Sequence, residues 1–255
     1  MRKIPAIARR QLYRPNVDYA LCLLLKRKRL RLPQVDPAMI WPDLEAAAVT
    51  LTTLPKGAWA APTNDTIVLM KIAAAARPLR ILELGSYRGY TAKALLEHAP
   101  AEARLTAVDL DPQHGEAYLG TPLEARVDRR VAPIGRDAFS DDERQSFDLV
   151  FVDADHAATA VSQDSAVALE MVSPTGTLLW HDYSNWGYFT GDCGVPEVVN
   201  KLAEALPLAH LLGSNIAIHR PEWVTDPALL ADAIAATALE SARGHWNSGT
   251  SRPYA

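Results

Sequence analysis

An acidic residue and two glycines stand close together in the segment Glu83-Leu-Gly85-Ser-Tyr-Arg-Gly89-Tyr-Thr91. Two glycines four positions apart permit a tight turn and let backbone N–H groups approach a ligand, and the amino end of a following helix favours a carboxylate. A dinucleotide-binding loop needs Gly-x-Gly-x-x-Gly to hold a pyrophosphate, and this segment lacks the first pair of glycines. Glu83 would suit an ammonium group better than a phosphate. The segment therefore predicts a site for an amino-acid-like cofactor.

Two further segments indicate a nucleoside. Asp109 ends a predicted strand twenty-four residues after Gly85, where a carboxylate can accept hydrogen bonds from a ribose diol. This role is shared by nicotinamide and adenosyl cofactors. Gly135-Arg-Asp137 follows the next predicted strand, so that Asp137 could meet an adenine edge or could simply cap a helix.

Short apolar runs alternate with helical stretches from residue 79 onward, which predicts a doubly wound α/β sheet with helices on both faces. Because ligands in such sheets bind beyond the carboxyl ends of the strands, the site should lie there. The last two strands are separated by only Gly213-Ser214, so they should form an antiparallel hairpin. A helix is expected to open at Asp111-Pro112. The seven predicted strands are 79–84, 104–109, 127–134, 147–153, 177–180, 208–212 and 215–219.

Three of these segments together resemble a known family. Glu83 to Thr91, Val108-Asp-Leu-Asp-Pro112 and Phe147-Asp-Leu-Val-Phe-Val-Asp-Ala-Asp155 are similar to motifs of the S-adenosylmethionine-dependent O-methyltransferases of the catechol and caffeoyl-coenzyme A type, within class I. The resemblance implies a Rossmann-like fold and S-adenosyl-L-methionine as cofactor. The positions expected to contact that cofactor are Glu83, Gly85, Ser86, Tyr87, Gly89, Thr91, Asp109, Leu110, Gly135, Asp137 and Asp153.

The resemblance also implies a divalent metal, Mg²⁺ or Mn²⁺, with Asp153, His181 and Asp182 at the ligand positions and His156 at the position of a lysine base. Two positions depart from the family pattern: His181-Asp182 stands for an Asp-Asn pair, and His156 stands for the lysine. Imidazole shifts the metal preference from Mg²⁺ toward Mn²⁺, Fe²⁺, Co²⁺ or Zn²⁺.

Independent chemistry supports a catalytic group made of His156, Asp153 and Asp182. A hydroxyl acceptor must lose a proton during methyl transfer, either to a base near neutral pKa or with the help of a cation. Imidazole titrates near neutrality, so His156 can be this base, or it can only fix Asp153 or Asp155 by hydrogen bonding. His181 can be a metal ligand, a second base or a packed residue at the sheet edge.

Charge is distributed unevenly along the 255 residues. Residues 1–34 hold ten Lys or Arg against one acid, whereas residues 35–255 hold sixteen against twenty-nine. The acidic body argues against a nucleic-acid enzyme. The basic segment could contact an anionic membrane surface, an acidic partner or another subunit, or it could be a solvated helix.

Three regions are expected: a basic helical N-terminal extension (1–60), the methyltransferase domain (61–221), and a C-terminal helix with a loose tail (222–255), the helix covering 226–243. Two cysteines, 171 positions apart, exclude a disulfide framework, and we expect a cytoplasmic protein. The apolar stretch 19–25 is too short to cross a membrane. Trp186, Tyr188 and Phe189 could clamp an acceptor or pack against a neighbouring subunit.

The sequence thus predicts transfer of a methyl group to a hydroxyl of a small acceptor, such as a specialised metabolite or a sugar. N-methylation needs the same geometry and stays open. Two alternatives are a nicotinamide-dependent oxidoreductase, which would share the sheet and Asp109, and a noncatalytic scaffold that retains the cofactor fold.

Overall fold

The computed structural model describes residues 30–57, 60–184 and 194–248, and the statements below concern these residues. They form one sheet of eight strands, one more than the sequence predicted. The additional strand, Gln34–Val35, has only two residues and therefore left no pattern in the sequence. The strands are β1 (Gln34–Val35), β2 (Arg80–Leu84), β3 (Arg104–Asp109), β4 (Val127–Val131), β5 (Phe147–Val152), β6 (Val172–Trp180), β7 (Leu208–Leu211) and β8 (Ala217–His219).

The sheet order is β1-β7-β8-β6-β5-β2-β3-β4. Every neighbouring pair is parallel except those of β8, which runs antiparallel to both β6 and β7. The predicted doubly wound sheet with an antiparallel last strand is confirmed. Because β8 lies between β6 and β7 and is antiparallel to both, β7 runs parallel to β6. The carboxyl ends of all the parallel strands therefore lie at the same edge of the sheet.

Helices cover both faces of the sheet, as expected. They are α1 (Pro37–Ile40), α2 (Thr63–Ala76), α3 (Tyr90–His98), α4 (Ala158–Met171), α5 (Val195–Leu202), α6 (Glu222–Thr225) and α7 (Pro227–Ser248). One apolar core lies between the sheet and helices α2, α3 and α7, and a second lies between the sheet and helices α4 and α5. Strand side chains alternate between the two cores: Ile81 belongs to the first and Leu82 to the second.

Several predicted boundaries were wrong. No helix opens at Asp111; residues 112–123 form turns, in which Gly115 N–H donates to the Tyr87 carbonyl. Strand β6 starts at Val172, before the predicted Thr177. Helix α7 continues to Ser248, so residues 244–248 belong to a helix and not to the expected tail.

The described part of the predicted N-terminal extension packs into the domain. Val35 of β1 is fully buried in the first core, and helix α1 follows directly. Tyr183 Oη accepts hydrogen bonds from the backbone N–H groups of Arg31 and Leu32, at 2.9 and 3.0 Å. The segment that leads into β1 therefore contacts the chain just after β6, while β1 itself pairs with β7 at the edge of the sheet. No helix in the described ranges is both long and apolar enough to span a bilayer.

Candidate active site

A cleft of about 760 Å³ opens at the carboxyl ends of the parallel strands, where the topology predicts a ligand site. Its walls come from residues 60–61 before α2, the turn after β2, the segments that follow β3, β4 and β5, the first half of α4, and Asp182 after β6. The lining residues are Ala60, Ala61, Gly85, Ser86, Tyr87, Arg88, Gly89, Tyr90, Thr91, Asp109, Leu110, Pro133, Ile134, Asp153, Ala154, Asp155, His156, Ala157, Ala160, Gln163, Asp164 and Asp182.

The turn between β2 and α3 requires glycine for two reasons. Gly85 has φ +88°, and a Cβ added there would lie 2.3 Å from the backbone oxygen of Asp153. Gly89 has φ +76° and precedes α3, and a Cβ there would lie 2.6 Å from the Tyr118 ring. Residues without a side chain therefore let the turn approach the backbone of Asp153 and the ring of Tyr118 while it keeps left-handed backbone angles. The turn therefore presents backbone to the cleft.

Asp109 holds the same turn from the end of β3. Its Oδ2 accepts the backbone N–H groups of Ser86 and Tyr87 at 2.9 and 2.7 Å, and its Oδ1 accepts that of Asp111 at 2.9 Å. A carboxylate has about four lone-pair sites, so capacity for a further donor remains. Asp109 lines the cleft and is thus placed both to shape the turn and to contact a ligand.

Glu83 does not line the cleft, contrary to the expectation that it faces a cofactor ammonium. Its residue is 1% exposed, and alternation along β2 puts it on the sheet face of Ile81, under α3. Burial raises the pKa of Glu83 to about 8, and the carboxylates of Asp153 and Asp109 add to this rise. Within the described ranges its Oε2 atom has no hydrogen-bond partner. Glu83 is therefore a buried residue of β2 and not part of the cleft wall.

The part of the cleft that was expected to hold the adenine differs from what the sequence predicted. Gly135 and the exposed Asp137, predicted near adenine, are not among the lining residues; Gly135 precedes a short 3-10 helix that contains Asp137. Leu110 and Ile134 line this end, together with Asp164 of α4, which the sequence analysis missed. Asp164 is 5% exposed, and burial together with the neighbouring Asp155 raises its pKa to about 7.

Two carboxylates and two imidazoles meet where β5 and β6 end. His156 Nε2 lies 2.9 Å from Asp182 Oδ2 and 3.9 Å from Asp153 Oδ1. His181 Nδ1 lies 3.1 Å from Asp153 Oδ1 and 3.4 Å from Asp182 Oδ1. The residue Asp182 has φ +59°, a left-handed conformation that aspartate adopts more readily than most residues. Ligand atoms of Asp153, His181 and Asp182 all lie within 4.8 Å of one another, so these three side chains could hold a metal ion.

The pKa values of both histidines are raised. Burial alone would lower the pKa of His156, but its bond to Asp182 and the charge of Asp153 outweigh burial and raise it. Burial likewise opposes charge on His181, yet Asp153, Asp65 and Asp182 raise its pKa well above the ordinary value. The cluster is therefore a strongly negative environment that attracts protons or cations.

Asp65 completes the cluster and was not predicted. This residue of the first turn of α2 is fully buried, and its Oδ2 lies 3.0 Å from His181 Nε2. Asn215, which precedes β8, donates its backbone N–H and its side-chain amide to Asp65 at 2.9 and 2.8 Å. An aspartate near the start of a helix is usually a solvated cap, so the sequence offered no signal for this contact.

The structure thus brings Asp153, His156, His181 and Asp182 together as expected. Asp153, His156 and Asp182 line one cleft with the glycine turn and Asp109, whereas the buried His181 contacts two of them without lining that cleft. The predicted acceptor-clamping aromatics Trp186, Tyr188 and Phe189 lie outside the described residues.

Sheet order, glycine turn and the acidic residue that ends β3 together define a Rossmann-like fold of the class I methyltransferase type. Residues 82–183 match the family model described as a methyltransferase domain. The SAH-bound methyltransferase PaMTH1 of Podospora anserina has the same fold, with a TM-score of 0.52, 18% identity, and coverage of 86% of this chain and 99% of that one.

Curated relatives are similar over part of the chain. A caffeoyl-CoA O-methyltransferase of Stellaria longipes is 27% identical over 156 residues, which are 56% of this chain and 62% of the relative. Tapetum-specific methyltransferase 1 of Arabidopsis thaliana is 27% identical over 100 residues, 37% of this chain and 43% of the relative. The chain therefore spans less than two thirds of the length of each.

The match of residues 82–183 to a methyltransferase domain agrees with the class I S-adenosylmethionine-dependent methyltransferases that the motifs resemble. The matches to methyltransferases give no support to a nicotinamide-dependent oxidoreductase or to a noncatalytic scaffold.

Proposed function

We propose that this protein transfers a methyl group from S-adenosyl-L-methionine to a hydroxyl of a small acceptor, such as a specialised metabolite or a sugar. The observation that carries the proposal is the composition of the cleft. A glycine turn held by Asp109 forms one part of it, and the cluster of Asp153, His156, His181 and Asp182 lies beside that turn. Methyl transfer needs these two functions side by side, because donor and acceptor must be held at near-attack distance.

The cofactor fits the groups at the turn. Backbone N–H groups at the start of α3 suit the methionine carboxylate, and Asp153 is placed for its ammonium. Asp109 suits the ribose diol, and the apolar Leu110 and Ile134 suit the adenine face. When bound, S-adenosyl-L-methionine supplies an electrophilic methyl group on a sulfonium. The remaining expected contacts are the cleft-lining residues Ser86, Tyr87, Gly89 and Thr91.

His156 is proposed as the general base, with Asp182 as its orienting partner. The 2.9 Å contact between His156 Nε2 and Asp182 Oδ2 fits a proton donated by the imidazole, which leaves Nδ1 as the basic atom of the neutral ring. Asp182 then stabilises the imidazolium that forms when the acceptor hydroxyl loses its proton. The raised pKa of His156 increases its capacity to take that proton.

A divalent cation, Mn²⁺ or Mg²⁺, is proposed at Asp153, His181 and Asp182. The donor set supports this, because two carboxylates and one imidazole nitrogen lie within 4.8 Å of one another in a strongly negative environment. A bound cation would lower the pKa of a hydroxyl in the cleft and stabilise its oxygen anion.

The binding partners and the cellular location of the protein are also proposals. Ten basic residues in the segment 1–34 support contact with an anionic membrane surface, an acidic partner or a second subunit. The distribution of the two cysteines supports function in the reducing cytoplasm.

An assay of methyl transfer tests the proposal. The full chain is incubated with S-adenosyl-L-methionine and a panel of catechols, flavonoids and sugars, with a chelator and then with added Mn²⁺ or Mg²⁺. We expect methylated product that chelation abolishes and the metal ion restores. Binding of the cofactor without product from any acceptor would contradict the transferase assignment. Activity indifferent to chelation would contradict the metal and leave His156 as the means of proton removal.

A further inference from the structure

His181 is held on both edges of its ring. Nε2 lies 3.0 Å from Asp65 Oδ2, and Nδ1 lies 3.1 Å from Asp153 Oδ1. The residue is only 4% exposed, so the ring cannot exchange either contact for bulk water. Asp153 lines the cleft, whereas Asp65 lies on the opposite side of the ring and is absent from the cleft wall. The two nitrogens of His181 therefore face different surroundings.

Asp65 is itself fixed as a hydrogen-bond acceptor. Oδ1 accepts the backbone N–H of Asn215 at 2.9 Å and the side-chain amide of Asn64 at 3.1 Å. Oδ2 accepts the side-chain amide of Asn215 at 2.8 Å. With both oxygens acting as acceptors, the proton in the contact with His181 belongs on Nε2. Asn215 joins the network from the segment that precedes β8, so α2 and the hairpin together set the position of the carboxylate.

We propose that Asp65 is a positioning residue for His181, which holds the Nε2–H tautomer and directs Nδ1 toward Asp153 and Asp182 as the metal-binding nitrogen. This inference rests on the metal site of the proposed function and assigns a role to a residue outside the cleft. A histidine that binds a metal commonly donates its other N–H to a carboxylate, which fixes the ring and strengthens the ligand. Here that carboxylate comes from a helix 88 positions earlier than Asp153 in the sequence.

The chemistry of the donor set follows from this orientation. One imidazole nitrogen beside two carboxylates favours Mn²⁺, Co²⁺ or Zn²⁺ over Mg²⁺, which prefers an all-oxygen shell. By keeping Nδ1 of His181 available, Asp65 should therefore raise the affinity for these ions. Removal of the Asp65 carboxylate should lower that affinity and leave the glycine turn that holds the cofactor unchanged.

The substitution Asp65→Asn tests the role in the full chain. An asparagine keeps the size of the side chain but replaces one acceptor oxygen by an amide nitrogen, so it cannot satisfy both His181 and Asn215. Binding of Co²⁺ is followed by visible absorption and binding of Mn²⁺ by electron paramagnetic resonance. We expect about 10–100-fold weaker binding of both ions, with S-adenosylhomocysteine affinity unchanged.

Asp148→Asn is the matched control. It removes the same charge from a side chain that accepts the backbone N–H groups of Leu79 and Arg80, at the opposite end of β5. Metal affinity in this variant should equal that of the wild type. Asn215→Ala, which removes one donor to Asp65 and spares the carboxylate, should weaken metal binding by a smaller factor and serves if Asp65→Asn does not fold.

Nuclear magnetic resonance of the wild-type protein with ¹⁵N-labelled histidine gives a second readout. The Nε2 of His181 should carry a proton with Zn²⁺ present, and Zn²⁺ should shift the Nδ1 signal. If Zn²⁺ shifts Nε2 instead, or if Asp65→Asn binds Co²⁺ and Mn²⁺ as tightly as the wild type, the positioning role is refuted while the metal site stands. If the wild type binds none of these ions, both the metal site and the role of Asp65 are refuted.

Discussion

The cofactor end and the reaction end of the cleft are built in different ways. At the cofactor end one short segment presents backbone, and a single carboxylate, Asp109, holds that segment by accepting two of its backbone N–H groups. At the reaction end side chains meet from separate parts of the chain, namely Asp65, Asp153, His156, His181 and Asp182. The first end depends on local geometry, and the second depends on how distant elements pack.

This difference explains why only one end follows the family pattern. A backbone turn tolerates few changes, because Gly85 has no space for a Cβ beside Asp153. A cluster of side chains can exchange members provided that charge and hydrogen bonding stay balanced. The resemblance puts His181 where the family has an aspartate, and the buried Asp65 supplies a carboxylate at the other edge of the ring.

The largest effect is expected for Gly85→Ala. The new methyl group would lie 2.3 Å from a backbone oxygen, and that backbone cannot move without separating β2 from β5. We expect the free energy of unfolding to fall by about 3 kcal/mol or more, with loss of S-adenosylhomocysteine binding. Chemical denaturation and calorimetric titration measure the two effects.

Gly120→Ala separates the effect of backbone strain from the effect of the steric clash at Gly85. Gly120 also has a positive φ, +71°, but no atom lies within 4 Å of an added Cβ. This variant should lose only about 1 kcal/mol and should bind the cofactor product normally. Equal losses in the two variants would show that the close approach of Gly85 to Asp153 has no special importance.

At the reaction end, His156→Ala should lower turnover about 100-fold or more while the affinity for cofactor stays the same. The reason is that, in the proposed mechanism, His156 with Asp182 takes the acceptor proton, whereas the turn holds the cofactor. Steady-state kinetics with an acceptor that the wild-type enzyme methylates provides the measurement. His98→Ala, at the far end of α3, is the control and should keep full turnover. Turnover within threefold of the wild type would exclude His156 as the base.

The effect expected for Glu83→Gln depends on pH. In the folded protein Glu83 has a pKa near 8, whereas in the unfolded chain it ionises near its ordinary value. Between about pH 4.5 and 8 the unfolded chain releases this proton and the folded chain retains it, so rising pH lowers the free energy of unfolding by roughly 2–5 kcal/mol.

The Gln variant should lose this part of the pH dependence, and denaturant unfolding at pH 5, 6.5 and 8 detects the change in slope. Glu102→Gln, which alters an exposed residue, should keep the wild-type slope. A wild-type slope in Glu83→Gln would mean that Glu83 is ionised in the folded protein.

The sequence predicted the parts of the fold that have regular patterns. The buried strands β2, β3 and β5 are short segments rich in apolar residues, so both their place and the site at their carboxyl ends could be found. The helix expected after Asp111 failed, because Gly115 and Gly120 adopt positive φ and tertiary hydrogen bonds replace helical ones.

In the site, only residues that lie close together in the sequence could be predicted. Asp153 and His156 lie three positions apart, and His181 and Asp182 are neighbours, so a motif could reveal them. Asp65 and Asn215 are 150 positions apart and meet only because α2 packs beside the β7–β8 hairpin. The placement of Glu83 also needed the structure, because a motif does not show which face of β2 its side chain occupies.

Titration of the full chain with S-adenosyl-L-methionine and, separately, with NAD(H) tests the assignment of the cleft most directly. The backbone turn held by Asp109 should bind the methyl donor with micromolar affinity and should not bind the dinucleotide, since it lacks the glycine pattern that accommodates a pyrophosphate. Binding of NAD(H) without binding of S-adenosyl-L-methionine would contradict the account.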